Sequence, residues 1–393
     1  MTDQTPPLLS PPPVSEWPPD NTADGPARRT YPRWTKWCAG IAVVLIAFSF
    51  AGAVIRVPYD TFSPGGALNL ESRISISGTK TYRDRGQVML LFVRERSRID
   101  LWRLLQAKLD PDTDIVKQVD VTGGSTQLQA DRQDVCDMSQ SQVSARVAAL
   151  TALGYKVPVL PGLDIVGLPP TYQSDGRHGK PVSHKFPAAQ VLQPCDQLVA
   201  ADGHVLKQPG DLSKIVKAHG PGTSVVLRVV RAGREQTVPV PVVAALGTHL
   251  IGVDLALRYK IPVRINIDTN DIGGPSAGLA MTLAIIDALT PGDLTGGKRV
   301  ATTGTIDPSG NVGEIGALEQ KAVAARAAHA QIFIVPACVN PSGRAACKKD
   351  LAVAQKRVGN SVKLAPVSTL EQALAVLRAA GGSGVPAAPK AKA

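Results

Sequence analysis

The stretch Asn270-Asp271-Ile272-Gly273-Gly274-Pro275-Ser276-Ala277-Gly278-Leu279-Ala280-Met281, NDIGGPSAGLAM, decides how the C-terminal third of the chain is read. Upstream, PVRINIDTN alternates. Val263, Ile265 and Ile267 point one way and Arg264, Asn266 and Asp268 the other, the pattern of a half-buried strand. Downstream, SAGLAMTLAIIDAL is an apolar helical run that stops before Pro291. Between the two, Gly273 and Gly274 allow backbone conformations closed to other residues, and Pro275 suits a helix start. Ser276 is therefore expected in the first helical turn, among N–H groups that have no intrahelical acceptor. Three roles fit it: a helix N-cap, part of a phosphate cradle, or a nucleophile whose oxyanion those N–H groups stabilise.

A nucleophile needs a base. The six histidines (His178, His184, His204, His219, His249, His329) form no H-x-x-x-H spacing and no metal site. A Ser-His-Asp triad stays open, because triads assemble in space. Lys321 is the better candidate. In IGALEQKAVAARAAHA, Leu318, Lys321, Ala322 and Ala325 recur at i, i+3, i+4 and i+7, so the lysine falls on the small apolar face. Burial there lowers its pKa and frees the neutral amine to act as a base. The competing role is a snorkelling lysine with its head in water.

Working outward, residues 1–36 are Pro-rich and expected to be a disordered cytoplasmic tail. Residues 37–56 hold CAGIAVVLIAFSFAGAVI, 18 residues from Cys38 to Ile55 without a charge, long enough for a single membrane span. Trp34, Trp37 and Tyr59 flank it as interface aromatics do. Arg28, Arg29, Arg33 and Lys36 precede it, and Arg56, Asp60 and Glu71 follow, so the bias puts the N-terminus inside and the bulk of the chain outside. A cleaved signal peptide ending at Ala51-Gly52-Ala53 is the rival reading, and it exports the remainder equally. Residues 57–156 read as an exported α/β region with two strands in RISISGTKTYRDRGQVMLLFV, helices in LWRLLQAKL and MSQSQVSARVAALTALGY, and no catalytic constellation. Residues 157–243 change to short strands around turns at Asp202-Gly203, Pro221-Gly222 and Ala232-Gly233. Residues 244–380 carry the opening motif, and 381–393 is a second low-complexity tail.

The net charge of +11 is scattered over the 393 residues without an aromatic-interleaved patch, so nucleic acid is not an expected partner. The five cysteines contain no C-x-x-C pair. Cys38 opens the apolar run. Cys338 and Cys347 flank a short loop suited to a local disulfide, which leaves Cys136 with Cys195 as a second pair in an oxidising compartment.

Two resemblances follow. FPAAQVLQPCDQLVAADGHVL with PGTSVVLRVVRAG resembles a bacterial PDZ domain, a module that binds extended peptides at a sheet edge. Cys195-Asp196 stands where Gly-Asp is usual, and the 157–186 segment aligns poorly with the module's first strand. GGPSAGLAM with VATTGTIDPSGNVGEIGALEQKAVAARAAHAQIFIVP looks like the proteolytic domain of Lon proteases. The three parts together resemble bacterial YlbL-like PDZ/Lon-like proteins over residues 38–380. The resemblance implies a multidomain α+β and α/β chain with one transmembrane helix, a PDZ-like β domain and a Lon-type α/β domain of the ribosomal protein S5 domain 2-like type. It implies Ser276 as nucleophile, Lys321 as general base and Thr303 holding the lysine, with Gly274 and Pro275 shaping the turn. It also implies polypeptide substrates, no cofactor, and a hexameric ring by analogy. Gly273 replaces the acidic residue of the ATP-dependent enzymes, and Gly316-Ala317 replaces Gly-Gly. GDLTGGKR, Gly292 to Arg299, approximates a phosphate loop, but Arg299 stands where Ser or Thr is required, so it reads as a plain loop. The function expected is ATP-independent endoproteolysis outside the cytoplasm. The alternatives are an inactive PDZ/Lon-like scaffold and a phosphate-binding domain of the related small-molecule kinase fold.

Overall fold

The computed structural model describes residues 32–83, 85–175, 181–245, 247–270 and 272–384. The tails expected to be disordered, and Asp271 of the opening motif, fall wholly or mostly outside these residues. Two units result, 1–55 and 56–393. In the first, α1 (Arg33–Val54) is a helix long and apolar enough to cross a membrane, with its large apolar side chains exposed.

The second unit opens with β1 (Tyr59–Asn69), β2 (Ile74–Ser77), β3 (Gln87–Arg96), α2 (Leu101–Leu109), β4 (Asp114–Lys117), α3 (Gln118–Thr122) and α4 (Gln127–Ala152). Next come β5 (Val159–Gly167), β6 (Thr171–Asp175), β7 (Pro181–Lys185), α5 (Ala188–Val191), β8 (Gln197–Ala201), β9 (His204–Val205) and α6 (Pro209–Ala218). They lead into β10 (Ser224–Arg231), β11 (Arg234–Pro241), β12 (Val243–Ala245), β13 (Thr248–Leu250) and β14 (Asp254–Tyr259). The chain ends with β15 (Arg264–Ile267), α7 (Gly278–Leu289), β16 (Arg299–Thr302), β17 (Thr305–Ile306), β18 (Val312–Gly313), α8 (Leu318–Ala327), β19 (Ile332–Pro336), α9 (Arg344–Val358), β20 (Lys363–Val367) and α10 (Leu370–Ala379).

The main sheet has the order β20-β19-β16-β3-β1-β4. Strands β3, β16, β19 and β20 are parallel neighbours, and β1 runs antiparallel to β3 and β4. Parallel strands covered on both faces read as unbroken apolar runs. In β3, Val88 and Leu90 enter the core beneath α4, α7 and α10, while Met89 and Leu91 enter the opposite core beneath α8 and α9. Ile332 and Ile334 of β19 alternate with Phe333 and Val335 in the same way.

A second sheet, β11-β10-β8-β5-β14, surrounds its own core of Leu163, Leu198, Leu206, Leu212, Leu227 and Ile251. Val225, Leu227 and Val229 alternate along β10 and form its buried face, the period of two expected for a strand covered on one side. The β10–β11 hairpin closes through Ala232 and Gly233 at φ 48° and 76°, the turn that the Ala-Gly pair predicts.

The structure differs from the expected partition in three ways. Residues 57–156 are not a separate region, because their strands β1, β3 and β4 share one sheet with strands from 299–367. The reason is β3, which is apolar on both faces and needs helices from both segments to cover it. The second sheet runs past residue 243, since β14 pairs with β5 while Val253, Leu255 and Leu257 pack on its core. Finally, β2, one of the two strands read in RISISGTKTYRDRGQVMLLFV, pairs with β15 and so joins residues 57–156 to the segment after residue 243.

Candidate active site

The loop from Asn270 to Ser276 is held from several sides. Arg73 donates to the carboxylate of Asp268 at 2.9 Å and to the side-chain oxygen of Asn270 at 3.0 Å. The Gly274 N–H donates to the Asp134 carbonyl at 3.0 Å, and the Ser141 hydroxyl donates to the Pro275 carbonyl at 3.0 Å. Gly274 sits at φ 83°, where a side chain would be strained. The Ser276 carbonyl then accepts from the Gly304 N–H at 2.9 Å, and the Gly304 carbonyl accepts from the Leu279 N–H at 3.0 Å. The loop is thus tied to α4 on one side and to the end of β16 on the other.

Helix α7 begins at Gly278, with Ala277 at its cap position and no side-chain cap hydrogen bond. Ser276 is therefore just before the helix and is not its N-cap, which corrects the first of the three roles. Its hydroxyl is turned elsewhere. Lys321 Nζ donates to Ser276 Oγ at 2.9 Å and to Thr303 Oγ1 at 3.3 Å. Thr303 Oγ1 in turn donates to the Ser276 carbonyl at 3.3 Å. Lys321 is 3% exposed and Thr303 is fully buried. Burial pulls the lysine down from its ordinary 10.5 to about 8. Among the described residues, the backbone N–H groups of Ser276 and Ala277 have no acceptor.

Helix α8 presents the lysine from a backbone turn at Ala317, whose φ of 54° is left-handed. That conformation explains why the resemblance implies glycine at this position: a Cβ there costs about 1–2 kcal/mol. The site opens into a groove of about 1250 Å³ that Ser276 and Lys321 share with Phe62, Phe92, Glu95 and Asp134. Burial first, and then the neighbouring Asp134, hold the Glu95 carboxyl above its usual range. Burial, with Asp137 and Asp131, does the same to Asp134.

All five expected site residues converge here, Gly274 and Pro275 by shaping the loop and Ser276, Thr303 and Lys321 by direct contact. Sequence reasoning missed the contribution of α4. Ser141 was detectable, since it shares a helical face with Ala145 and Ala148, and a hydroxyl on a buried face needs a partner. Asp134 acts through its carbonyl, which no residue type announces. The four other cysteines are joined as Cys136–Cys195 and Cys338–Cys347, while Cys38 is free and exposed. The phosphate-loop look-alike lies between α7 and β16, and it is covered by the chain's own C-terminal residues. Ser383 donates its N–H to the Asp293 carbonyl at 2.7 Å, and Lys298 Nζ donates to the Ala380 carbonyl at 2.5 Å. Among the described residues no group of His, Cys, Asp and Glu is placed to hold a metal ion.

Residues 256–379 match the family described as the Lon protease (S16) C-terminal proteolytic domain. A Lon protease of Neorickettsia sennetsu is 37% identical over 101 residues, covering 26% of this chain and 11% of its own. One from Xanthomonas oryzae pv. oryzae is 28% identical over 185 residues, covering 47% and 19%. One from Trichlorobacter lovleyi is 35% identical over 146 residues, covering 36% and 17%. The chain thus spans between a tenth and a fifth of the length of these relatives. A solved PDZ domain of an SdrC-like protein from Listeria monocytogenes is 20% identical, covering 22% of this chain and 86% of its own, with a TM-score of 0.17. The resemblance to the Lon proteolytic domain is therefore shown for the segment that carries Ser276, Thr303 and Lys321. The strands β1, β3 and β4 and helix α4, which supply much of the groove, lie outside the matched residues.

Proposed function

We propose that this protein is a membrane-anchored serine endopeptidase that acts outside the cytoplasm and without ATP, with Ser276 as nucleophile and Lys321 as its general base. The observation that carries the reading is the 2.9 Å contact between Ser276 Oγ and the buried Lys321 Nζ. A neutral amine there takes the Ser276 proton as Oγ attacks the scissile carbonyl carbon. The resulting oxyanion is met by the unoccupied N–H groups of Ser276 and Ala277. Lys321 then passes its proton to the leaving amine, the peptide C–N bond breaks, and an acyl group remains on Ser276. A water, deprotonated by the same amine, releases the acyl group and restores the hydroxyl. Thr303, fully buried, holds Nζ in place through its hydroxyl. The module of the second sheet is read as PDZ-like, presenting polypeptide segments to the groove.

Location rests on other observations. Helix α1 is long and apolar enough to cross a membrane, and basic residues precede its uncharged run. Two disulfides in the second unit suit an oxidising compartment. The occupied loop at 292–298 leaves that stretch no room to cradle a nucleotide. The test is cleavage of an unfolded polypeptide by the full chain in detergent. Ser276→Ala and Lys321→Ala are each expected to reduce the rate at least about 100-fold, on the order expected for loss of a nucleophile or base. Cleavage at the parental rate by either variant contradicts the assignment.

A further inference from the structure

Helix α2 is amphipathic in the wrong sense for a helix packed on a core. Its buried side is small, with Ala107 at 7% exposure. Leu101, Leu105 and Leu109 recur every fourth residue and form one stripe on the outside, 38%, 49% and 79% exposed. Trp102 lies beside that stripe and is also exposed. Lys108 lies at the edge of the stripe, and Arg103 lies on the far side of the helix. Exposed leucines scattered singly need no explanation, but a full helical face of them marks a contact surface.

The position of the helix identifies the partner. Arg56 follows α1 after a single residue, and it forms an ion pair with Asp100 at 3.5 Å. Asp100 is the N-cap of α2, accepting from the Arg103 N–H at 2.8 Å. The Val57 N–H also donates to the Ile99 carbonyl at 2.9 Å. The start of α2 is therefore fixed to the residues that leave α1. A helix that crosses a bilayer delivers the chain to its surface, so α2 begins at that surface. The charges are mixed: Arg98, Lys108 and Lys117 are exposed and make no ion pair among the described residues, and Asp110 and Asp120 are exposed as well. Arg98 and Lys117 line a cavity of about 560 Å³ together with Pro58 and Tyr59, close to the same exit.

We propose that α2 lies in the surface of the membrane that α1 crosses, with Leu101, Leu105 and Leu109 among the upper acyl chains and the neighbouring cations at anionic headgroups. This rests on the reading of α1 as a membrane anchor. A short helix with leucines on one face and polar residues on the other is the form that binds such an interface. The contact fixes the catalytic unit against the bilayer rather than leaving it on a loose tether.

The test uses the full chain with Cys38→Ser, reconstituted in vesicles of phosphatidylethanolamine and phosphatidylglycerol. An environment-sensitive fluorophore is attached at Leu105→Cys and, in a second variant, at Leu109→Cys, whose exposed side chain contributes little packing. Val44→Cys in α1 and Lys214→Cys on α6 are the controls. Lipids carrying a nitroxide near the headgroup are expected to quench the probes at 105 and 109, lipids carrying one deep in the acyl chain to quench the probe at 44, and both to leave the probe at 214 unquenched. Quenching at 44 with probes at 105 and 109 as unquenched as 214 overturns the proposal and leaves the anchor standing. No quenching at 44 overturns the anchor reading and this one with it. Probes at 105 and 109 that are shielded from aqueous iodide in proportion to protein concentration, yet unquenched by lipid, place a second copy on the stripe and also overturn it.

Discussion

Lys321 is the residue on which the proposed chemistry turns. Its folded pKa of about 8 is below its unfolded value, so between about pH 8 and 10.5 the unfolded chain binds more protons than the folded one. Folding stability therefore rises with pH across that window, and below it the buried charge opposes folding. Activity has the same origin. Only the neutral amine accepts the Ser276 proton, so kcat/KM is expected to rise about tenfold per pH unit below about 8 and to level above it. A profile that is flat from about pH 6 to 8 contradicts a lysine base. Replacing the charge by an apolar side chain of similar length relieves the buried cation. Lys321→Met is expected to be inactive yet at least as stable at about pH 7, by up to roughly 3 kcal/mol in urea unfolding. A clear loss of stability would mean that the ammonium is a structural ion held by its hydroxyl partners. At this scale the sequence was informative. A lysine on an alanine face signals cost, and a serine after Gly-Gly-Pro signals a turn. The N-cap reading failed because the helix starts two residues later, and propensity does not mark helix starts to that accuracy.

Among the elements, α4 and α7 decide whether Ser276 is presented correctly. Gly278, the first residue of α7, lies where the two helices and β17 meet. A Cβ there would come within 2.9 Å of Ile306 Cγ2, 3.0 Å of the Ile306 backbone nitrogen and 3.1 Å of Ser141 Oγ. Helix propensity favours alanine over glycine by up to about 1 kcal/mol, whereas overpacking costs about 1–3 kcal/mol. The steric effect wins. Gly278→Ala is expected to lower stability and to reduce cleavage more than stability accounts for, because Ser141 is displaced from the Pro275 carbonyl. A variant that is more stable and fully active contradicts this packing. The strands were legible in part. VMLL in β3 reads as a buried strand, but nothing local pairs Gln87 with Arg299, since that contact joins distant parts of the chain. The same holds for α4, whose helical period was plain and whose role in holding the serine loop was not.

For the whole molecule, the second sheet is inserted between two segments of one α/β unit, so the sequence boundaries drawn at 156 and 243 divide what the main sheet unites. The Cys136–Cys195 disulfide joins α4 to the start of β8 and so links the two sheets across 59 residues. Cys338–Cys347 closes only 9. The chain-entropy relation gives the longer closure about 1.6 kcal/mol more stabilisation than the shorter. Paired Cys→Ser variants at 136 and 195 are therefore expected to lose more unfolding free energy than those at 338 and 347. Equal losses would show that the long bridge adds no constraint.

The central claim is that Ser276 and Lys321 together cut polypeptide chains. The most direct measurement is the rate at which the parent chain, Ser276→Ala and Lys321→Ala degrade one unfolded polypeptide without added nucleotide. The account expects cleavage by the parent chain and its loss in both variants, each still folded by urea unfolding. A folded parent chain that leaves the polypeptide intact, or a variant that cuts as fast as the parent, contradicts it.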